Sequence, residues 1–207
     1  MQAVNTIFYI AILIMSVVIH EVSHGFMAER FGDKTARMAG RLTLNPLNHL
    51  DLFGSILLPA LLYITSGFVF GWAKPVPYNP DNLSNKRWGT MWVALAGVLA
   101  NLLVALFFGL IIRFAPMLGV ELPGSFYFIT SSIVLVNLAL MIFNLVPIPP
   151  LDGSKVLFSL LPGSFYRVTS FIEQYSLPLL LVFILFFSDI LYPVLSLLFR
   201  LLTGLSL

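Results

Sequence analysis

Residues 17–25, VVIHEVSHG, place two histidines and a glutamate in a run that is otherwise almost entirely apolar. His20 and His24 are four residues apart, so on an α-helix they lie on one face, about 6 Å apart along the axis. Both imidazoles can then reach one metal ion, with Glu21 beside its open coordination position. Ionisable groups inside a membrane segment cost about 2.5 kcal/mol or more each, so they persist when paired, hydrated or bound. The stretch predicts a metal site, and the alternative is a pair of histidines that bridge helices by hydrogen bonds.

The composition of the 207-residue chain defines the class of protein to which this stretch belongs. Hydrophobic residues make up 59% of the sequence, charged residues 10%, and the mean hydropathy is +0.98. The charged fraction is about half that of a typical soluble domain, which predicts an integral membrane protein. The lysines and arginines are scattered between hydrophobic segments, so no nucleic-acid partner is expected. Because the sequence contains no cysteine, a bound metal must use His, Asp, Glu or backbone oxygen.

Several apolar runs reach the roughly 20 residues that a helix needs to cross a bilayer. We expect membrane helices over residues 4–27, 88–114 and 126–146. The run 52–70 is interrupted by two glycines and a proline, and the tail 175–205 contains two prolines. Both of these segments are therefore expected to bend or break.

Residues 36–50, ARMAGRLTLNPLNHL, alternate loosely between polar and apolar side chains and contain Gly40 and Pro46. This pattern predicts a short strand or hairpin at the membrane surface. The predicted fold class is an all-α polytopic membrane protein with about four to six membrane helices or re-entrant segments and a small strand element at the surface. The expected organisation is a single transmembrane domain over residues 1–207, with a core over 1–161 and a C-terminal helical tail over 162–207.

The most basic connection follows the first predicted helix, and the positive-inside tendency places it in the cytoplasm. Its basic residues are Arg30, Lys34, Arg37 and Arg41. His20 and His24 lie toward this end of the helix. We therefore expect a multi-pass protein of the cell membrane whose site lies nearer the cytoplasmic side.

A third metal ligand must come from outside the first helix, because catalytic zinc usually takes three protein ligands and a water. Asp152 follows directly on the helix 126–146, in a proline-broken segment, and Gly153 comes next. Irregular backbone of this kind is tolerated at membrane depth only around a cavity or in the protein interior, which makes Asp152 the preferred ligand. Asp-Gly is also a common turn dipeptide that could cap the short helix that follows, and this interpretation stays open.

Four motifs cover most of the chain from its first to its fourth apolar segment. They are HEVSH at 20–24, GWAKPVPYNP at 71–80, AGVLAN at 96–101 and NLVPIPPLDG at 144–153. HExxH alone is a weak signal, whereas HExxH with an LDG-type motif in a membrane protein is specific. Together the motifs resemble the site-2 protease family of intramembrane zinc metalloproteases, in a compact form without a PDZ or other appended domain.

This resemblance implies one zinc ion per chain, held by His20, His24 and Asp152. It also implies Glu21 as general base and acid in the hydrolysis of a peptide bond within or near a transmembrane segment, as in regulated intramembrane proteolysis. Zinc lowers the pKa of a bound water to about 7, so Glu21 can take its proton and pass it to the leaving amine. The implied partners are a transmembrane protein or peptide substrate and the lipid bilayer, and the oligomeric state is not indicated.

The oxyanion formed in such a reaction needs a hydrogen-bond donor, and Asn144, eight residues before Asp152, is the candidate. Asn101 is the rival. Because Gly97 lets helices approach closely, Asn101 is better interpreted as an interhelical hydrogen-bonding residue than as a catalytic one. For Asn144 the catalytic and structural interpretations both stay open. His49 is interpreted as a surface hydrogen-bonding residue.

Membrane topology sets a condition on the predicted site. His20 and Asp152 reach one depth only if the first and last of the three predicted helices point the same way across the bilayer. We therefore predict that the run 52–70 dips in and returns, or lies shallow, so that one full crossing separates those two helices. Alternatively, residues 147–150 turn the chain back into the membrane and carry Asp152 inward.

A metal-ion transporter is the main alternative function, because it too would place His and Asp at membrane depth. Transport predicts polar residues spread over several helices, whereas here they concentrate at one level. A non-catalytic relative that binds membrane partners is a third possibility, favoured by loss of Glu21, which is present. Other membrane HExxH proteases draw a third ligand from a downstream glutamate, but Glu121 and Glu173 lack the supporting pattern.

Overall fold

The computed structural model describes residues 2–57, 61, 64 and 74–207. In this part of the chain the α-helices are α1 (Gln2–Arg30), α2 (Thr35–Met38), α3 (Lys86–Phe114), α4 (Gly124–Asn144), α5 (Asp152–Leu160), α6 (Tyr166–Gln174), α7 (Ser176–Phe186) and α8 (Leu191–Thr203). Short 3₁₀ and π turns connect some of them, among them Pro46–His49 and Leu52–Leu57. The predicted all-α character is therefore observed over the described residues.

Three of the described helices are long and apolar enough to cross a membrane. They are Asn5–Arg30, Lys86–Phe114 and Gly124–Asn144. The segments Gly163–Gln174 and Ser176–Phe186 would form a fourth span if taken as one, but they meet at a bend of 70°. The chain is therefore a multi-pass membrane protein, with three or up to four spans in the part that the structure describes.

The predicted strand element within residues 36–50 is wrong. The structure forms helix α2 over Thr35–Met38 and a 3₁₀ turn over Pro46–His49, and no strand occurs among the described residues. The reason is local capping: the Asp33 carboxylate accepts the first backbone N–H of α2, and the Asn45 side chain accepts an N–H of the 3₁₀ turn. Side-chain oxygens that bind backbone N–H groups start helical turns and compete with strand pairing, so loose alternation alone was a misleading signal.

Helices α1 and α4 run parallel. Tyr9, early in α1, packs edge-to-face on Phe128, early in α4, with ring centroids 5.6 Å apart. About two turns further along each helix, the Asn137 amide donates to the Ser16 hydroxyl at 2.9 Å. Contacts whose residue numbers rise together on both helices require the same direction, which meets the topological condition that the sequence set.

Helix α3 runs antiparallel to α1 and packs against both α1 and α4. Asn101 donates to the backbone carbonyl of Ser16 at 3.3 Å, whereas the earlier residue Val93 accepts from His24, later in α1. The start of α3 consequently lies at the end of α1, where the Ser84 N–H donates to the Phe31 carbonyl at 2.8 Å. The chain between α1 and α3 therefore begins and ends on one side of the bundle.

The re-entrant behaviour predicted for residues 52–70 lies mostly outside the described residues and stays a prediction. Its first six residues, Leu52–Leu57, form a π-helical turn in which Gly54 is buried. Pro59 and Gly67, on which the prediction also depended, are not among the described residues.

The main hydrophobic core joins α3, α4 and α8. Its buried members are Val98, Ala105, Ile112, Val134, Leu138, Met141, Ile142 and Phe199. Gly109 lets α8 approach closely, because a Cβ there would lie 2.9 Å from the Cβ of Leu202. The last helix thus belongs to the bundle that holds the site, while the division of the chain after residue 161 stays a prediction.

Candidate metal centre

The two histidines of the first helix and Asp152 converge in the bundle. Asp152 Oδ2 lies 3.1 Å from His20 Nε2 and 3.1 Å from His24 Nε2. One ligand atom from each of these side chains lies within 4.8 Å of the others, and all three residues are buried. Among the described residues, this is the group of His, Cys, Asp or Glu side chains arranged closely enough to hold a metal ion.

Asp152 reaches the histidines because α5 begins with it and packs on the end of α4. A Cβ on Gly153 would lie 2.2 Å from the carbonyl oxygen of Leu145, so only glycine permits this approach. The N-cap of α5 is Leu151, and no side chain caps the helix. The turn-cap role that the sequence left open for Asp152 is therefore not what its carboxylate does.

Both histidines present the same ring nitrogen to the centre. His24 Nδ1 lies 2.6 Å from the Val93 carbonyl oxygen, which can only accept, so Nδ1 carries the proton. His20 Nδ1 lies 2.6 Å from Asn101 Oδ1 and donates to it. With a proton on each Nδ1, Nε2 is the nitrogen that can give its lone pair to a metal ion, as a neutral histidine ligand requires.

Two further contacts shape the space around these donors. A Cβ on Gly97 would lie 2.6 Å from both imidazole rings, so the absence of a side chain leaves room for the histidines against α3. Lys155 Nζ donates to Asp152 Oδ1 at 3.1 Å, which turns Oδ2 toward the histidines. Two oriented imidazoles and one oriented carboxylate, buried together, fit the donor set of a catalytic zinc site.

Glu21 lies on α1 beside the ligand group and is half-buried. Its Oε2 accepts the backbone N–H of Val76 at 2.9 Å. Gly25 allows the extended chain around Val76 to lie against α1, since a Cβ there would be 2.8 Å from Val76 Cγ1. A loop amide therefore orients the carboxylate that the sequence predicts as general base.

We call residues 74–79, which contain Val76, the strap. At its start, the Lys74 N–H donates to the His49 carbonyl at 2.9 Å, and Arg41 donates to the Lys74 carbonyl at 2.8 Å. At its end, the N–H of Asn79 donates to Asp33 at 2.7 Å. The strap is thus fixed at both ends by residues that follow α1.

Two of the residues that anchor the strap, His49 and Asp33, are buried. His49 is 1% exposed and its Nε2 donates to the Thr43 carbonyl at 2.8 Å, so the interpretation of His49 as a surface residue is wrong. Asp33 is fully buried, and burial by itself raises the pKa of its carboxyl. Hydrogen bonds from Thr35, Asn82 and the Asn79 N–H have the opposite effect and outweigh burial, so the pKa lies below the usual value for an aspartate. Asp33 is therefore an ionised anchor of the strap.

Asn144 lies at the end of α4 and is half-buried. Its amide nitrogen donates to the carbonyl of Leu140, one turn earlier in the same helix, at 2.9 Å. Asn101, its rival, is fully buried and bonded to His20. The two asparagines thus differ: the Asn144 amide is bonded within its own helix, whereas Asn101 is bonded to His20, a predicted metal ligand.

The sequence of this chain matches a known family over most of its length. Residues 8–120 and 122–187 match the model of peptidase family M50. The chain belongs to peptidase family M50. The resemblance to the site-2 proteases that the motifs carried is thereby confirmed.

Relatives of this M50 chain carry matching names. It is 42% identical over 153 residues to "Putative zinc metalloprotease YwhC" of Bacillus subtilis (strain 168), covering 72% of this chain and 66% of the relative. It is 35% identical over 153 residues to "Putative zinc metalloprotease Rip2" of Mycolicibacterium smegmatis, covering 73% and 56%. The Rip2 of Mycobacterium tuberculosis (strain H37Rv) is 30% identical over 146 residues, covering 70% and 53%. The chain thus spans about half to two thirds of the length of these relatives, and no solved structure matches it significantly.

Several residues that support the M50 site were missed by motif reasoning. Lys155 follows the LDG motif by two residues, and Val93 and Val76 act through backbone groups that no side-chain pattern reveals. Asn137 had a usable signal, because a carboxamide in an apolar membrane helix needs a partner. That signal was available in the sequence and would have directed attention to α4.

Proposed function

We propose that this M50 chain is an intramembrane zinc metalloprotease, which hydrolyses peptide bonds within or near transmembrane segments of membrane proteins. One zinc ion per chain would be held by His20 Nε2, His24 Nε2 and Asp152 Oδ2. The observation that carries the proposal is the convergence of these three buried donor atoms within 4.8 Å, from two segments more than a hundred residues apart in sequence. The names of the relatives support zinc as the metal.

The position of the site supports cleavage inside the membrane. Ten residues separate His20 from Arg30 at the end of α1, which is about 15 Å along a helix and about half of a bilayer core. A zinc ion held here would supply a Lewis acid and a water of lowered pKa. Glu21, held by the Val76 N–H, would accept a proton from the attacking water and donate it to the leaving amine.

Asn144 is our candidate for the donor that stabilises the oxyanion. Asn101 is already engaged with His20, and this favours Asn144 over it. The Asn144 amide would have to leave the Leu140 carbonyl to reach a substrate. Asn144→Leu should therefore lower kcat by about 100-fold and leave zinc content unchanged; an unchanged kcat would remove Asn144 from the mechanism.

The first test measures zinc per chain and cleavage of a membrane-spanning peptide by the detergent-purified protein. Wild type should hold about one zinc, Asp152→Ala should lose it, and Glu21→Gln should retain zinc without cleaving. Glu173→Gln is the matched control, because Glu173 is an exposed glutamate of α6. Equal zinc in wild type and Asp152→Ala would remove Asp152 from the site. Zinc retained without cleavage by wild type, together with zinc uptake into vesicles, would favour the transport alternative.

We also propose that the site lies nearer the cytoplasmic side. Most of the basic residues lie on the side where α1 ends, in the connection between α1 and α3 and at the two helix ends that it joins: Arg30, Lys34, Arg37, Arg41, Lys74, Lys86 and Arg87. Positive-inside bias favours this side as cytoplasmic. Because the sequence has no cysteine, Lys34→Cys and Met117→Cys on opposite sides can be labelled singly in intact cells. Labelling of Lys34→Cys alone by an impermeant reagent would overturn the orientation.

A further inference from the structure

Behind His20, a chain of hydrogen bonds crosses three membrane-spanning helices. Asn101 Oδ1 accepts from His20 Nδ1 at 2.6 Å, and Asn101 Nδ2 donates to Asn137 Oδ1 at 2.8 Å. Asn137 Nδ2 then donates to the Ser16 hydroxyl at 2.9 Å. Asn101 and Asn137 are fully buried and Ser16 is 4% exposed. We call these three residues the polar chain.

The direction of every bond in the polar chain is fixed by two backbone carbonyls. Asn137 Nδ2 lies 2.9 Å from the Ile133 carbonyl oxygen, which can only accept, so Asn137 Oδ1 must face Asn101. Asn101 Nδ2 lies 3.3 Å from the Ser16 carbonyl oxygen and faces the same way. Asn101 Oδ1 is left as the group that meets His20, and it too can only accept.

The consequence reaches the candidate metal centre. An acceptor opposite Nδ1 places a His20 proton on Nδ1, so Nε2, which faces Asp152 Oδ2 at 3.1 Å, is the nitrogen left to bind a metal ion. A flipped Asn101 amide would instead offer an N–H to Nδ1, which would move the His20 proton to Nε2 and block coordination. The flip would also bring Asn101 Oδ1 against two acceptors, Asn137 Oδ1 and the Ser16 carbonyl.

We propose that Asn101, Asn137 and Ser16 are positioning residues that hold His20 in its Nδ1–H tautomer and so make its Nε2 a ligand. The proposal rests on the metal site of the proposed function. It differs from interhelical adhesion because adhesion needs no particular direction of the bonds. Here the direction decides which nitrogen of His20 is free.

The tautomer can be measured without any substitution. In metal-free protein labelled with ¹⁵N-histidine, the His20 ring should carry a proton on Nδ1 in every form, the neutral one included, although Asp152 Oδ2 faces Nε2. His49 is an internal reference of the opposite kind, because its Nε2 donates to the Thr43 carbonyl. His20 in the Nε2–H tautomer in wild type would overturn the proposal.

Substitutions then test the consequence for metal binding, with Co²⁺ affinity and its visible absorption as readouts. Asn101→Leu should weaken Co²⁺ binding by about 10–100-fold, because no acceptor then faces His20 Nδ1. Asn137→Leu should give a smaller loss, because it removes one of the two acceptors that oppose a flip of Asn101 and leaves the Ser16 carbonyl. Ser132→Ala is the control: this buried α4 hydroxyl bonds only the Phe128 carbonyl of its own helix among the described residues, and binding should not change.

The outcomes separate this proposal from the proposed function. Wild-type protein that binds neither Zn²⁺ nor Co²⁺ would contradict the metal site itself, while the His20 tautomer would still test the polar chain. If the wild-type protein binds Co²⁺ and Asn101→Leu binds it with unchanged affinity, the positioning role is overturned and the metal site is not.

Discussion

The two sides of the candidate metal centre are built differently. Behind the histidines, α3 and α4 supply fully buried, uncharged groups on rigid helices, and the polar chain and Gly97 fix the rings. In front, Glu21 is half-buried and is held by one N–H of the strap, a segment without regular secondary structure. The comparison indicates that metal binding depends on the helix bundle, whereas the orientation of the base depends on a loop.

This difference has a reason in what each side must do. Metal ligands need fixed geometry, and buried hydrogen bonds between membrane helices supply it. The side of Glu21 must admit a substrate, and a strap anchored at its two ends can move more easily than a transmembrane helix. Substitutions on the two sides should therefore separate metal affinity from kcat.

The largest effect is expected behind the histidines, at Gly97. In Gly97→Ala the new Cβ would lie 2.6 Å from both rings, so His20 and His24 must turn away from their Nδ1 partners. We expect zinc affinity to fall by about 100-fold or more, with activity falling in proportion. Isothermal titration with Zn²⁺ measures the affinity.

Gly109→Ala is the matched control, on the same helix. Its new Cβ would also lie too close to a neighbour, 2.9 Å from the Cβ of Leu202. This contact is on the surface that packs against α8 and not at the metal centre. Thermal stability should fall and zinc affinity should stay near that of wild type. Equal zinc affinities for Gly97→Ala and wild type would show that the histidines are not confined against α3.

A smaller effect, confined to kcat, is expected in front. Val76→Pro removes the N–H that binds Glu21, because proline has no amide hydrogen. We expect kcat to fall by about 10–100-fold with zinc content unchanged, since a general base contributes through its position. Single-turnover cleavage assays on the zinc-loaded protein measure this.

Val76→Ala serves as the reference for that change. It removes a buried side chain and keeps the N–H, so kcat should remain within a few-fold of wild type. A similar loss of kcat in both variants would mean that side-chain packing, rather than the N–H, orients Glu21. A loss of zinc in Val76→Pro would contradict the separation of the two sides.

The three candidate metal ligands were predictable from the sequence, whereas the backbone groups that orient them and Glu21 were not. His20 and His24 follow from helical spacing, and Asp152 from a proline-broken segment at membrane depth, because both are side-chain signals. The strap's contribution comes from a backbone amide, and any residue except proline carries one. Val76 therefore left no trace in the pattern of residue types.

The prediction of a strand at the membrane surface was wrong for a related reason. Residues 36–50 show weak alternation, but Asp33 and Asn45 cap helical turns on either side of Gly40. The choice between strand and turn depended on which backbone N–H each side chain binds, and spacing alone does not determine this. The parallel course of α1 and α4 was predicted, by contrast, because it follows from where the ligands must meet.

The smallest effect is expected at the far anchor of the strap. Asp33→Asn keeps one acceptor oxygen but removes the charge that strengthens the bonds from Thr35, Asn79 and Asn82. We expect a loss of about 1–3 kcal/mol in the free energy of unfolding, a few-fold loss in kcat and no change in zinc affinity. Unfolding followed by near-ultraviolet circular dichroism measures the stability.

The pH dependence of this difference identifies the charge as its cause. The pKa of Asp33 is lower in the folded protein than its unfolded value of about 3.9, so its stabilisation is complete above that pH and is lost as the pH falls through the folded pKa. The stability difference between wild type and Asp33→Asn should hold constant from about pH 7 to 5 and shrink below about pH 4. A difference independent of pH would assign the effect to hydrogen-bond geometry, and the strap would then be anchored by shape rather than by an ionised carboxylate.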